Sequence, residues 1–119
     1  NPPVLALAPL RASMEIFAEA GLDALRAKSV SLTGYLEFLL RKKLSSEFSI
    51  ITPAEETRRG AQLSLRLSRR RREICDRLAA VGVIGDWREP DILRVAPVPL
   101  YNSYADVFQF VQRFSAALP

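Results

Sequence analysis

The sequence predicts a small α+β domain, with helices packed on one face of a short, mainly antiparallel sheet. Three observations predict it. Apolar residues recur at helical spacing in four segments. Between those segments they alternate or cluster in runs of strand length. Glycine, proline and polar clusters separate the two kinds of segment. The resulting order, α, α, β, β, α, β, β, α, interleaves helices and short strands around one core. At 119 residues the chain is long enough for one domain and too short for two, so residues 10–119 are taken as a single folded unit.

Residues 1–9 hold three prolines and are expected to be an extended leading segment, passing in from sequence outside this chain. A helix is predicted over residues 10–20, on the spacing of Leu10, Met14 and Phe17, with Gly21 as its stop. A longer helix is predicted over 22–44. Leu22, Leu25, Ser29, Leu32, Leu36, Leu39 and Leu40 fall on one face, and Arg41, Lys42 and Lys43 suit the negative end of its dipole. Gly34 sits inside that pattern, at a cost of roughly 1 kcal/mol against alanine, which predicts a close neighbour there.

A short strand is expected over 48–52, stopped by Pro53, then a polar connection over 55–60. Residues 61–67 alternate strictly, with Leu63, Leu65 and Leu67 on one face, which is the pattern of a half-buried strand. Ser68 is a suitable N-cap for a helix over 69–80 that buries Ile74, Leu78 and Val81 and ends at Gly82. An extended run over 83–87, a turn over 89–91 and a strand over 92–95 follow. Asn102 and Ser103 can cap a last helix over 104–118, with Val107, Phe108, Val111 and Phe114 inward.

Composition narrows the chemistry. The chain is 49% hydrophobic and 25% charged, which is globular rather than disordered. It has no run of 18 apolar residues, so no membrane span is expected, and its first residues lack the features of a secretory signal. No histidine is present, which removes serine–histidine catalysis and most zinc sites. The single cysteine, Cys75, lies in a helical pattern and reads as a half-buried structural thiol. A lone thiol fits a reducing, cytoplasmic setting. The net charge of +4 owes much to Arg58–Arg59 and to the four arginines at 69–72. No aromatic residues interleave with them, so they read as a solvated helix start rather than a nucleic-acid surface.

One residue resists a purely structural reading. Arg94 lies in the middle of the strand over 92–95, and Pro97 and Pro99 stiffen the chain directly after it. If Leu93 and Val95 face the core, Arg94 faces the other side of the sheet. A guanidinium there needs water or an anion. It is either a surface arginine, paired locally with a carboxylate such as Asp91, or a rigidly mounted carboxylate clamp.

Three stretches decide which expectation is followed. They are Gly82-Val83-Ile84-Gly85-Asp86-Trp87-Arg88-Glu89-Pro90, Arg94-Val95-Ala96-Pro97-Val98-Pro99-Leu100-Tyr101-Asn102-Ser103, and Arg59-Gly60-Ala61-Gln62-Leu63-Ser64-Leu65. Together with Asn1-Pro2-Pro3 and the segment from Lys28 to Glu37, they resemble the C-terminal region of the kynureninase family, in order and over essentially the whole chain. The resemblance implies the small C-terminal domain of the aspartate-aminotransferase fold (fold type I). The family's enzymes use pyridoxal 5'-phosphate to hydrolyse L-kynurenine, or its 3-hydroxy form, to anthranilate or 3-hydroxyanthranilate and L-alanine, in tryptophan catabolism and NAD biosynthesis.

By the same resemblance, Arg94 is the arginine that binds the substrate's α-carboxylate. Asn1 matches an asparagine near the cofactor phosphate. The Schiff-base lysine belongs to an N-terminal large domain not contained in this sequence, so no catalytic residue is expected here, and neither activity nor cofactor binding is expected of this segment alone. The implied partners are that large domain and a second copy in a homodimer; nucleic acid, membrane and metal are not implied. Ala61 stands where the family has a cysteine, with no catalytic consequence expected, since a buried cysteine packs as a small apolar residue. Two other functions stay open on the residues alone: a non-enzymatic basic binding module, and a fold type I relative acting on another amino acid. Arg94 wedged against acids of this same chain, or turned away from any surface that further sequence could cover, would overturn the clamp.

Overall fold

The structure, a computed structural model, describes residues 3–44, 46–68 and 71–118. The elements follow in the order α1 (Val4–Ala20), α2 (Leu22–Leu44), β1 (Phe48–Ile50), β2 (Leu63–Leu67), α3 (Arg71–Ala80), β3 (Asp86–Arg88), β4 (Ile92–Val95) and α4 (Tyr104–Ala117), with one 3-10 turn at Glu56–Arg58. The four strands form one antiparallel sheet in the order β1-β2-β4-β3. The α+β expectation holds, element for element.

Strand alternation decides which side of the sheet the helices take. Leu63, Leu65 and Leu67 of β2 and Leu93 and Val95 of β4 are buried, while Arg66 is exposed and Ser64 and Arg94 are half-buried. The leucine side packs against α2, α3 and α4. Leu32, Leu36 and Leu40 of α2, Ile74 and Leu78 of α3, and Val107, Val111 and Phe114 of α4 complete a single core. Fully burying each such side chain is worth about 1.5–3 kcal/mol, so this face holds the domain together. The opposite side of the sheet carries no helix among the described residues.

The helix ends follow local rules. Gly21 closes α1 at φ +79, its N–H donating to the Phe17 carbonyl. Gly82 stands at φ +77 after α3; its N–H donates to the Ala79 carbonyl and that of Val83 to the Leu78 carbonyl, a Schellman closure, and Val83 packs against the core. Ser103 and Asp106 form a full capping box at the start of α4. The capping of α3 by Ser68 adjoins residues 69–70, which lie outside the described residues.

Five expectations need correction. The extended reading of 1–9 fails from Val4 onward, where the chain is helical. Pro3 precedes the first helical residue, where a missing N–H costs nothing, and Pro9 is carried inside the helix. No residue of α1 is buried, and it stands off the rest; the radius of gyration, 16.1 Å, exceeds the roughly 13.5 Å of a compact chain of this length. Gly34 has no close neighbour: a Cβ built there meets nothing within 4 Å. Val81 falls in the turn after α3 and is exposed. Phe108 of α4 is turned outward, under the Lys43 ammonium at 5.1 Å, because Val107 and Val111 fill the inward stripe. Leu22 is exposed as well, at the junction with α1. The glycine that does meet a neighbour is Gly85, where a Cβ would lie 2.7 Å from Leu93 Cδ1; there the chain leading into β3 crosses close over β4.

Candidate functional site

The uncovered side of the sheet is where polar side chains collect. Register places Ser64 of β2, Arg94 of β4 and Asp86 of β3 in one row across the strands, and Ser49, Arg66, Ile92 and Arg88 in the next. Side chains in such rows stand close enough to interact, and they do. Arg94 Nη2 donates to Asp86 Oδ2. Arg88 donates to that same oxygen through Nε at 3.2 Å and Nη2 at 3.1 Å. Asp91, the carboxylate expected beside Arg94, instead lies 3.9 Å from Arg66. Asp86 is therefore Arg94's partner within this chain. No spacing along the chain marks this pairing; only the antiparallel register of β3 and β4 sets Asp86 opposite Arg94.

Arg94 keeps 32% of its side chain exposed and Asp86 46%. Its Nε is shielded from solvent and has no acceptor among the described residues. Buried donors are nearly always satisfied in folded proteins, so an orphan of this kind marks a place where an acceptor is lacking.

The backbone behind Arg94 is stiff. Val95 and Pro97 are buried. The Asn102 side chain accepts from the Val98 N–H at 2.8 Å, and the Asn102 N–H donates to the Val98 carbonyl at 2.8 Å. This double link closes the proline turn on itself and leads directly into the Ser103 cap. Proline content alone predicted rigidity here; the part played by Asn102 was not foreseen, because its side chain acts four residues back. On the neighbouring strand, Ser64 is held on both sides: its N–H donates to Thr52 Oγ1 at 2.8 Å, and its hydroxyl accepts from Gln62 at 3.1 Å.

A cleft of about 240 Å³ opens elsewhere, between α4, residues 82–84 and residues 95–97, with Leu36, Asn102, Asp106 and Phe110 among its walls. It does not include Arg94, and its one acid, Asp106, is committed to the α4 cap. The Arg94 cluster and this cleft are thus separate in this chain.

The remaining candidates fall out of the site. Asn1 lies outside the described residues. Lys28, Lys42 and Lys43 are exposed on α2, and no lysine lines the cleft. The described residues therefore do not fit an aldehyde cofactor: they offer no enclosed amine and no phosphate cradle. Cys75 is half-buried against the core, and burial, aided by the Asp76 carboxylate, raises its pKa, so the thiol stays protonated and unreactive at neutral pH. No cluster of metal-ligating side chains occurs among the described residues. None of the described helices is long and apolar enough to cross a membrane.

The solvated-face reading of Arg58–Arg59 is corrected at Arg59. Its side chain is only 6% exposed and bonds Glu37 of α2 at 2.5 Å. Arg41 bonds the same carboxylate at 2.8 Å. Arg72 fits the solvated reading, near Asp76 at 3.6 Å and Glu89 at 3.8 Å; Arg69 and Arg70 are not among the described residues.

Comparison with known proteins adds the following. A family model described as the kynureninase C-terminal domain matches residues 25–114. The chain is 63% identical over 118 residues to a kynureninase of Koribacter versatilis (strain Ellin345), covering 99% of this chain. It is 56% identical over 119 residues to kynureninases of Stenotrophomonas maltophilia (strain K279a) and Xanthomonas euvesicatoria pv. vesicatoria (strain 85-10), covering 98% of this chain. It spans 28% of the length of each of these curated relatives.

Proposed function

The chain belongs to the kynureninase family, as its C-terminal domain, and from that premise we propose that Arg94 grips the α-carboxylate of an L-kynurenine-type substrate in a full-length, pyridoxal-phosphate-dependent hydrolase. The cofactor, its lysine and the substrate's aromatic ring are assigned to the part of the protein outside these 119 residues. When bound there, the cofactor supplies the electron sink for cleaving a carbon–carbon bond. The contribution of this chain is positional: a forked cation on a stiff strand, facing the uncovered side of the sheet. Holding a substrate carboxylate at a fixed place aligns its Cα bonds, and such alignment can lower a barrier by several kcal/mol. We assign the exposed apolar side chains of α1, Leu5, Leu10 and Met14 among them, to contact with the large domain. A cytoplasmic homodimer acting in tryptophan catabolism and NAD biosynthesis completes the proposal.

The observation that carries the reading is the orphaned Nε of Arg94 on an otherwise paired, uncovered face. The pairing with Asp86, an acid of the same chain, is the kind of contact that counts against the clamp; the reading is kept because the pair is exposed rather than wedged in the interior. An ion pair this exposed is worth about 0–1 kcal/mol. A carboxylate that meets a guanidinium with two parallel hydrogen bonds, out of solvent, exceeds that. Asp86 therefore does not prevent Arg94 from changing partners.

The test is Arg94→Gln in the full-length protein. Its kcat/KM for L-kynurenine should fall by about a hundredfold or more, while the cofactor absorbance stays as in the wild type. Kinetics unchanged by the substitution would remove Arg94 from the site. The 119-residue chain by itself should give no cofactor absorbance band on addition of pyridoxal 5'-phosphate; stoichiometric binding would overturn the assignment of the cofactor to the other domain.

A further inference from the structure

Two arginines converge on one carboxylate oxygen at this site. Arg94 reaches Asp86 Oδ2 from across the strand pair, and Arg88 reaches it from the same strand with two N–H groups. A single counter-ion for Arg94 would have served equally well to neutralise it. The second arginine changes what happens when Arg94 leaves. An Asp86 stripped of Arg94 still holds Arg88, so no carboxylate is abandoned next to an incoming anion. The charge count points the same way. Two guanidinium groups and one carboxylate leave one uncompensated positive charge in the cluster. On the same face, Arg66 is matched by Asp91, which leaves that balance unaltered.

We propose that Asp86, braced by Arg88, is the positioning and charge-selecting residue of the site: it keeps Arg94 in cross-strand register and limits the cluster to one net positive charge, which suits a ligand with one carboxylate over a ligand with two. The inference rests on the reading of Arg94 as the carboxylate-binding residue. Asp86 touches no reacting atom in this account. It acts through Arg94, first by holding the fork in the row it shares with Ser64, then by passing to Arg88 as the ligand binds. Specificity of this kind comes from what is repelled as much as from what is attracted. A second carboxylate on the ligand would meet Asp86 with only a single positive charge to offset both.

The experiment uses the full-length protein and two competitive probes of similar shape, benzoate and phthalate, alongside L-kynurenine kinetics. In the wild type benzoate should inhibit more tightly than phthalate. Asp86→Asn raises the cluster to two positive charges, and the ratio of the two inhibition constants should move toward phthalate by about tenfold, the effect of one charge a few ångström away in a partly solvated site. In the same variant kcat should fall severalfold with no rise in KM, because the fork has lost its register but also its competitor. Asp86→Glu should restore the inhibition ratio. Arg88→Gln leaves Asp86 with Arg94 as its sole partner, so KM should rise severalfold; this surface variant keeps the question open to test even where Asp86→Asn fails to fold. An unchanged inhibition ratio in Asp86→Asn, or an unchanged KM in Arg88→Gln, overturns the proposal. If Arg94→Gln abolishes activity while these two variants behave as wild type, the Arg94 reading stands and only this inference falls; if Arg94→Gln is silent, both fall.

Discussion

Arg59 and Arg94 each meet one carboxylate of the same chain, and each of those carboxylates receives a second arginine. Arg59 bonds Glu37 with Arg41 alongside; Arg94 bonds Asp86 with Arg88 alongside. The chemistry is the same and the surroundings are not. Arg59 and Glu37 are 6% and 15% exposed, between the connection after β1 and the middle of α2. Arg94 and Asp86 are 32% and 46% exposed, on the side of the sheet that carries no helix among the described residues. Removing one partner of a buried pair strands a charge that water cannot reach. Removing one partner of an exposed pair leaves a charge that water or another anion satisfies. The first arrangement is a fastening and the second is exchangeable. Burial, rather than the identity of the ions, separates a structural arginine from one available to a ligand.

The comparison can be broken in several ways, all in the full-length protein. Glu37→Ala should cost about 2 kcal/mol of stability, between the exposed and the fully buried regimes, read as a lower urea midpoint. A loss no larger than that of an exposed pair would place Arg59 in the same class as Arg94. Ser103→Ala removes the acceptor of the Asp106 N–H in the α4 capping box and should cost about 1 kcal/mol, seen as faster amide exchange in the first turn of α4. Arg94→Gln, despite its large expected effect on activity, should change stability by less than about 0.5 kcal/mol. A clear loss of stability there would make Arg94 a fastening too.

Acid sharpens the same contrast. Burial pushes the Glu37 carboxyl up, but the hydrogen bonds and charges of Arg59 and Arg41 outweigh it and hold its pKa below the ordinary 4.5. A carboxylate depressed in the folded state contributes stability that is complete above its unfolded pKa and is lost as pH falls through the folded one. The stability difference between the wild type and Glu37→Gln should therefore be constant above about pH 5 and shrink at lower pH. A difference that stays flat down to pH 3 would mean that Arg59 does not lower the Glu37 pKa.

Much of this molecule could be read without coordinates, and the reasons are local. The alternation at Leu63, Leu65 and Leu67 names both the strand and its buried face, because a strand repeats every two residues. Leu32, Leu36 and Leu40 mark the inward stripe of α2 in the same way, and Gly21, Gly82 and Ser103 mark helix ends through backbone conformation and side-chain hydrogen bonding. The extended reading failed at Val4, where proline's preference for extended backbone was outweighed by a favourable position before the first turn. At Gly34 the helix was as expected and only the close neighbour was not found: a glycine in a helix need not mark a close approach.

Residue types, spacing and the family pattern singled out Arg94 and put it on the side of its strand away from the core. They could not name its partner. Asp86 and Asp91 lie eight and three residues before it, and nearness in sequence favoured Asp91. Strand register reverses that order: it sets Asp86 directly across from Arg94 and leaves Asp91 beside Arg66. Glu37 of α2 and Arg59 of the connection after β1, 22 residues apart, meet because that connection packs back against the helix. Periodicity is a property of consecutive residues and can be read along the chain, whereas ion pairing and burial depend on which distant segments are brought side by side, and that is settled only when the sheet closes against its helices.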